Sequence, residues 1–126
     1  MPLSESMEDY LEAIFEIEKR KRYVRVRDVA NQLGVSMPSV NGALKNLEAR
    51  GYINHEKYEY IELTEEGTEK ASRISRKHRL ISAFLETVLG VDHETADEDA
   101  CKIEHDLSPV TMEKLARYLD SFSKGS

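Results

Sequence analysis

The segment over residues 26–63 constrains the fold of this chain more than any other part of its sequence. Residues 26–33 have the apolar periodicity of a short helix, which Gly34 interrupts. Ser36 then begins a second helix, with a proline in its first turn, that is expected to run to about residue 50. A glycine between two helices supplies the positive φ of a tight turn. The pattern therefore predicts two short helices joined by a tight turn.

A hairpin pattern follows this pair of helices. After Gly51, residues 52–63 are rich in aromatic and β-branched side chains around a charged centre, which is typical of a small antiparallel hairpin. Residues 64–67, Thr-Glu-Glu-Gly, then have the composition of a helix N-terminus. Two helices, a tight turn and a hairpin in this order predict a winged helix-turn-helix. In DNA-binding proteins with this arrangement, the second helix of the pair enters the major groove.

Apolar residues spaced by three and four positions predict helices outside this segment as well. One covers residues 5–19, a long one begins near residue 65 and ends at Gly90, and two more cover residues 94–107 and 109–122. We therefore expect a mainly α fold, in which a winged helix-turn-helix with a small β-hairpin is followed by an α-helical layer. This layer is too small to bury its own apolar faces, so the chain is expected to form a homodimer.

The length of 126 residues has room for one compact domain or for two small layers. We expect a DNA-binding domain over residues 1–67 and an α-helical domain over residues 68–126. No apolar run approaches the roughly 18 residues of a membrane span, and the N-terminus lacks the layout of a signal peptide. The chain is therefore expected to be cytoplasmic, with no membrane partner.

The formal net charge of −6 at first opposes DNA binding, because DNA affinity depends largely on Lys and Arg residues that neutralise phosphates. The distribution of charge matters more than the sum. Basic residues gather between Lys19 and Arg27, whereas acidic residues crowd the stretch 86–106. One region is suited to face DNA and the other to hold cations, although both are also typical of a solvated surface.

The DNA contacts expected of the predicted winged helix-turn-helix fall into two groups. The first two turns of the second helix of the pair would face the base edges, and basic side chains around them would hold phosphates. Each basic residue taken alone is equally well explained as a solvated charge. The candidates at the bases are Ser36, Met37, Pro38, Ser39, Asn41 and Gly42, and those at phosphates are Arg25, Arg27, Lys45, His55 and Lys57.

A second set of candidates has the side chains that bind metal. In the predicted helix over 94–107, three donors follow one another at i, i+3 and i+4 and are expected to line a groove beside its apolar stripe. A histidine lies within the apolar stripe of the long helix, and two acids stand one turn apart in the first helix. Taken singly, each has a structural explanation; together their N, O and S donors suit first-row transition metals. The three donors of the helix over 94–107 are Cys101, Glu104 and His105, the histidine of the long helix is His78, and the two acids of the first helix are Asp9 and Glu12.

Five segments of the chain carry a family resemblance: SMEDYLEAIF, VRDVANQLGVSMPSVNGALKNLEARGYI, LTEEG, RKHRL and DACKIEHDLS. With them the chain resembles the metalloregulators related to the diphtheria toxin repressor and the manganese transport regulator. The resemblance implies a homodimer that binds a double-stranded DNA operator, represses metal-uptake genes and is not an enzyme. It also implies that residues 68–126 bind metal and dimerise. The six donors above are similar to the family's metal ligands, with Mn²⁺ or Fe²⁺ as the expected ion and Co²⁺, Ni²⁺ or Zn²⁺ as substitutes in vitro.

The chain departs from both branches of this family. It ends at Ser126, before the SH3-like third domain of the iron-sensing members, and so resembles the short manganese-type architecture. Asp9 is the acid of the manganese regulators, whereas Cys101 stands where those proteins have glutamate and the iron regulators have cysteine. The identity of the metal therefore stays open.

Two other functions are compatible with parts of the sequence. One is a winged-helix regulator that responds to a small molecule without metal. The other is a metal-dependent hydrolase with Glu12 as general base, although six convergent ligands would leave little room for the open coordination position that catalysis needs.

Overall fold

The computed structural model describes residues 3–55 and 60–125 of the chain. Its elements in chain order are α1 (Glu5–Arg20), α2 (Val26–Leu33), α3 (Met37–Ala49), β1 (Ile53–His55), β2 (Ile61–Leu63), α4 (Glu65–Thr87), α5 (His93–Ile103) and α6 (Pro109–Gly125). This order confirms the expected mainly α fold with a winged helix-turn-helix and a two-stranded hairpin. No described helix is long and apolar enough to cross a membrane.

The chain divides into two compact units, an N-terminal unit that ends at Arg73 and a C-terminal unit that begins at Ile74. The division falls inside α4, so this helix contributes to both units. The predicted assignment of residues 1–67 and 68–126 to separate functions stays a prediction.

Local caps set the helix ends of the N-terminal unit. The hydroxyl of Ser4 accepts a hydrogen bond from the backbone N–H of Met7 at 3.2 Å, and Ser36 accepts one from Ser39 at the same distance. These bonds satisfy N–H groups that have no partner inside a helix. Gly34 ends α2 with a φ of 67°, which a residue with a Cβ adopts only with strain.

The hairpin pairs Ile53 with Leu63 and His55 with Ile61 in antiparallel register. A further bridge, which the sequence pattern did not predict, joins Ile61 to Val24, whose carbonyl accepts the Ile61 N–H at 2.9 Å. The connection between α1 and α2 is therefore joined to β2 by a single bridge.

The core of the N-terminal unit forms where α1 packs against α2, α3 and β2. Its fully buried apolar side chains come from every element of the winged helix-turn-helix, which fixes α3 with its apolar side inward. They are Leu11, Ile14, Ile17, Val24, Val29, Val40, Leu44, Leu47, Ile53 and Ile61.

The C-terminal unit has its own small core, built on Ile81, Ala100 and Met112. The helix predicted over 94–107 is shorter than expected, because α5 ends at Ile103. Its apolar spacing continues to Leu107, which packs against this core, but the backbone turns more tightly, with the Asp106 N–H donating to the Ile103 carbonyl. The proline that follows Ser108 disfavours helical backbone just before it, and α6 begins at that proline.

Candidate metal centre and DNA interface

Glu104, immediately after the last residue of α5, is the most unusual polar side chain of the C-terminal unit. It is only 1% exposed. Its Oε2 lies 3.5 Å from Nδ1 of His78, and its Oε1 lies 3.8 Å from Nε2 of His105. Within residues 3–55 and 60–125, neither oxygen of this carboxylate accepts a hydrogen bond.

A buried carboxylate without hydrogen bonds is costly, because burial removes the water that solvates its charge. A divalent cation bound by Glu104 together with its neighbouring imidazoles would compensate this cost. A ligand atom of Glu104 lies within 4.8 Å of one of His78, and in a separate group a ligand atom of Glu104 lies within 4.8 Å of one of His105. The donors present, carboxylate oxygen and imidazole nitrogen, therefore fit a first-row transition metal.

His78 occupies the middle of α4, with its side chain 18% exposed. Besides facing Glu104, its ring contacts α5, where Nε2 lies 2.7 Å from Oδ1 of Asp97. Sequence reasoning predicted His78 as a ligand but gave Asp97 no role beyond membership of an acidic stretch. The only sequence signal for it is that Asp97 precedes Glu104 by seven residues, which is two turns of helix.

The two acids of α1 behave differently from each other. Helical spacing in the sequence predicts that both project away from the apolar stripe of α1. Glu12 is nevertheless buried, with 7% of its surface exposed, whereas Asp9 is only half-buried. They belong to the N-terminal unit, and their role as metal ligands stays a prediction.

Cys101 lies in α5, one turn before Glu104, and is exposed. The expectation that it lines a groove rather than facing solvent does not hold for Cys101, although Glu104, one turn later, keeps helical backbone angles and donates its N–H to the Ala100 carbonyl. In the described part of the chain, Cys101 does not join any group of three or more donors within 4.8 Å of one another. Its role as a ligand stays a prediction.

The outer side of α3 has the character expected of a DNA-reading surface. Val40, Ala43, Leu44 and Leu47 anchor the helix in the core. All the positions predicted to approach DNA from this helix and its cap are exposed, and most are short polar or small residues that let the backbone come close to the bases. They are Ser36, Met37, Pro38, Ser39, Asn41, Gly42 and Lys45.

Two exposed arginines predicted to hold phosphates, Arg25 and Arg27, lie at the start of α2. The guanidinium carbon of Arg25 is 5.3 Å from the centre of the Tyr60 ring, and its Nη2 donates to the Tyr60 hydroxyl at 3.4 Å. Tyr60 in turn stacks on Tyr23, with ring centres 4.1 Å apart. Sequence reasoning missed both tyrosines; they flank Val24 and Ile61, whose pairing brings them together.

The remaining phosphate candidates lie in the hairpin. His55 is half-buried at the end of β1, and its backbone N–H donates to the carboxylate of Glu48 at 3.2 Å. Lys57 lies outside the described residues.

A winged helix-turn-helix with an exposed α3, followed by a helical unit with a buried carboxylate between two imidazoles, defines a class of protein: the metal-responsive DNA-binding regulators. Residues 2–61 match the family model described as "Iron dependent repressor, N-terminal DNA binding domain", and residues 64–125 match "Iron dependent repressor, metal binding and dimerisation domain". The chain belongs to this family of iron-dependent repressors.

Relatives of similar length support the same assignment. The chain is 40% identical over 121 residues to an uncharacterised HTH-type transcriptional regulator of Methanocaldococcus jannaschii, covering 95% of this chain and 97% of the relative. It is 35% identical over 117 residues to the HTH-type transcriptional regulator MntR of Listeria welshimeri, covering 93% and 82%.

Among solved structures, the crystal structure of T. acidophilum IdeR superposes with a TM-score of 0.81 at 28% identity. The match covers 95% of this chain and 55% of that one, so the chain spans about half the length of this solved relative.

These comparisons confirm the expected class of function. The family consists of metal-dependent transcriptional regulators rather than enzymes. Its members bind DNA through the N-terminal domain and dimerise through the C-terminal domain.

Proposed function

We propose that this protein is a cytoplasmic repressor of metal-uptake genes that binds its operator as a homodimer when Mn²⁺ or Fe²⁺ is bound. Glu104 is the observation that carries the metal-dependent part of this proposal: a buried carboxylate with an imidazole near each oxygen and no described hydrogen bond. Such a group is stabilised when a cation binds and is costly when none does. Co²⁺, Ni²⁺ and Zn²⁺ also suit these donors and are expected to bind in vitro.

We propose six metal ligands, contributed by both units of the chain. Glu104, His78 and His105 are supported by their mutual distances. The other three, Asp9, Glu12 and Cys101, are supported by the family resemblance. An ion that takes ligands from α1 and from the C-terminal unit would couple the DNA-binding domain to the dimerisation domain. Linkage then requires that metal tightens operator binding and that operator tightens metal binding by the same factor.

On the DNA side, we propose that α3 reads base edges while Arg25, Arg27, Lys45, His55 and Lys57 contact phosphates. The contact of Arg25 with Tyr60 supports this role, because it reduces the freedom of an exposed guanidinium before DNA is bound. Since a two-fold dimer presents two copies of α3, the operator is expected to be an imperfect palindrome with half-sites separated by helical turns.

The decisive experiment selects operator sequences from a random DNA pool and then measures their affinity for metal-free protein and for protein with each divalent metal. Tighter binding with Mn²⁺ or Fe²⁺, reversed by a chelator, is the expected result. The Glu104→Gln variant serves as the control, since it should bind operator weakly whether metal is present or not. Equal operator affinity with and without metal would instead favour a regulator that responds to another small molecule.

A further inference from the structure

The imidazole of His78 lies between two carboxylates of very different exposure. Nε2 is 2.7 Å from Oδ1 of Asp97, whose side chain is 60% exposed, and Nδ1 is 3.5 Å from Oε2 of Glu104, whose side chain is 1% exposed. The first distance is that of a short hydrogen bond to a charged acceptor, and the second is longer than a hydrogen bond. Asp97 is therefore hydrogen-bonded to Nε2 of the ring, whereas Glu104 faces Nδ1 without a hydrogen bond.

The Asp97 contact fixes which ring nitrogen carries the proton. A carboxylate only accepts hydrogen bonds, so Nε2 must be the donor at 2.7 Å. In the neutral imidazole, the lone pair is then on Nδ1, the nitrogen that faces Glu104. A metal ion binds imidazole through the nitrogen that has no proton. The nitrogen directed at the buried carboxylate is thus the one prepared to bind an ion.

We infer that Asp97 is a positioning residue of the metal centre: its carboxylate holds the Nε2–H of His78 and so directs Nδ1 to the ion that Glu104 binds. This inference rests on the metal-dependent function proposed above. Asp97 touches the ligand and not the ion. A carboxylate on the far side of a metal-bound imidazole fixes the ring orientation and raises the basicity of the coordinating nitrogen, and removing it typically lowers metal affinity by about 10–100-fold.

The exposure of Asp97 makes the inference accessible to mutation. Because 60% of its side chain is exposed, replacing it should leave the fold intact. Asp97→Ala removes the acceptor, whereas Asp97→Asn keeps a carbonyl oxygen that can accept the Nε2–H but carries no charge. Glu98→Ala is the matched control, since it removes an exposed carboxylate from the next position of α5.

The first measurement is the ¹⁵N spectrum of the histidine side chains in the metal-free full-length protein, with the His78 signals assigned from a His78→Gln variant. Wild type, Asp97→Asn and Glu98→Ala are expected to show His78 protonated on Nε2. Asp97→Ala is expected to show a mixture of the two tautomers. An unchanged tautomer in Asp97→Ala would overturn the inference.

The second measurement is the Mn²⁺ affinity of the same variants, by competition with a chelating dye. Asp97→Ala should bind about 10–100-fold more weakly than wild type, Asp97→Asn should lose less, and Glu98→Ala should match wild type. If Asp97→Asn loses as much affinity as Asp97→Ala while keeping the Nε2 tautomer, Asp97 acts as a ligand itself and the positioning role is wrong. If wild type binds Mn²⁺ and Asp97→Ala binds it equally well, the inference alone fails. If wild type binds neither Mn²⁺ nor Fe²⁺, both the inference and the proposed function are wrong.

Discussion

The backbone carbonyl of Tyr52 closes off the space beside Gly67: a Cβ placed on Gly67 would lie 1.8 Å from that oxygen. The same carbonyl accepts the backbone N–H of Thr64 at 3.0 Å, and the Thr64 hydroxyl accepts the N–H of Gly67 at 3.0 Å. These contacts hold the first turn of α4 against the chain that enters the hairpin. The glycine of the Thr-Glu-Glu-Gly sequence is therefore required by close backbone approach.

Replacing Gly67 with alanine should destabilise the N-terminal unit. The obstructing atoms are backbone and cannot move aside as a flexible side chain would, so we expect a loss of about 1–3 kcal/mol in the free energy of unfolding. Urea denaturation followed by circular dichroism measures it.

Gly42→Ala is the matched control for this prediction. Gly42 lies inside α3 with open space around its Cα, so alanine should raise the free energy of unfolding by about 0.5–1 kcal/mol. The same change should weaken operator binding, since a methyl group would separate α3 from the bases. Equal stability effects at the two glycines would contradict the role assigned to the Tyr52 carbonyl.

We expect the buried charge of Glu104 to lower the stability of the metal-free protein, although the same charge favours metal binding. Glu104→Gln keeps the shape of the side chain and removes its charge. Because neither oxygen accepts a described hydrogen bond, the metal-free variant should be more stable than metal-free wild type by about 1 kcal/mol or more. Thermal unfolding with excess chelator measures this difference.

With metal present, the order should reverse. A ligand at a hundred times its dissociation constant stabilises the folded state by about 2.7 kcal/mol. Wild type should therefore gain stability on Mn²⁺ addition and Glu104→Gln should not. A metal-free Glu104→Gln protein that is less stable than wild type would indicate that the two imidazoles already satisfy the carboxylate.

Features of the fold that depend on local sequence could be predicted, whereas features that depend on tertiary packing could not. The bounds of α2 were predicted correctly because the signals lie in the sequence itself, with Gly34 at the end of the helix. The bridge between Val24 and Ile61 was not predicted, since it depends on the position of the hairpin relative to the chain before α2. The length of α5 was overestimated because apolar spacing continues through Leu107 although the backbone has left the helix.

The candidate metal centre shows the same division. Glu104 and His105 were predicted as ligands from their residue types and spacing, and in the structure Nε2 of His105 lies 3.8 Å from Oε1 of Glu104. The exposure of Cys101 could not be predicted, because it depends on which parts of the folded chain pack around α5. Asp97 was missed because an acid is recognised as a partner of His78 only when the packing of α4 on α5 is known.

The two kinds of DNA contact should respond differently to mutation. Arg27→Ala should weaken binding to all sequences alike and reduce the salt dependence by about one phosphate contact. Asn41→Ala should instead relax the preference at particular base pairs, because a side-chain amide can accept from N6 and donate to N7 on the major-groove edge of adenine. Fluorescence anisotropy over a set of operator variants and salt concentrations separates the two effects.

The control for the arginine is Arg73→Ala, which removes an exposed arginine that pairs with Glu69 in α4. It should bind as wild type does. Sequence-dependent losses in Arg27→Ala would show that this side chain contacts bases and would contradict the phosphate role.

Asp28 should make stability depend on pH. Burial alone would raise the pKa of this carboxyl, but the hydrogen bonds from the Lys21 ammonium and the Arg25 backbone N–H, at 2.9 and 3.0 Å, outweigh it and hold the pKa below its ordinary value. A lowered folded-state pKa stabilises the protein above the unfolded pKa of about 3.9. This contribution is lost as the pH falls through the folded-state pKa.

Asp28→Asn should therefore be less stable than wild type by about 1 kcal/mol at pH 7. The difference should narrow as the pH falls below about 4. Urea denaturation at a series of pH values measures it, with Glu62→Gln, a change at an exposed carboxylate of β2, as control. A deficit that does not change with pH would mean that Asn fails for reasons of shape and not of charge.

Cys101 provides the sharpest test of the proposed ligand set, because it is exposed whereas the ligand Glu104 is buried. A thiolate is a softer ligand than a carboxylate and favours Co²⁺ and Zn²⁺ over Mn²⁺. If the thiolate binds the ion, Cys101→Glu should lower the affinity for Co²⁺ and Zn²⁺ more than the affinity for Mn²⁺.

A Co²⁺ titration detects the bond between the ion and the Cys101 thiolate directly, through the near-ultraviolet charge-transfer band of cobalt thiolate. The band should be present in wild type, absent in Cys101→Glu and absent in Cys101→Ser, which has nearly the size of cysteine but no sulfur. Wild-type protein that binds Co²⁺ without this band would remove Cys101 from the ligands and leave the oxygen and nitrogen donors to bind the metal.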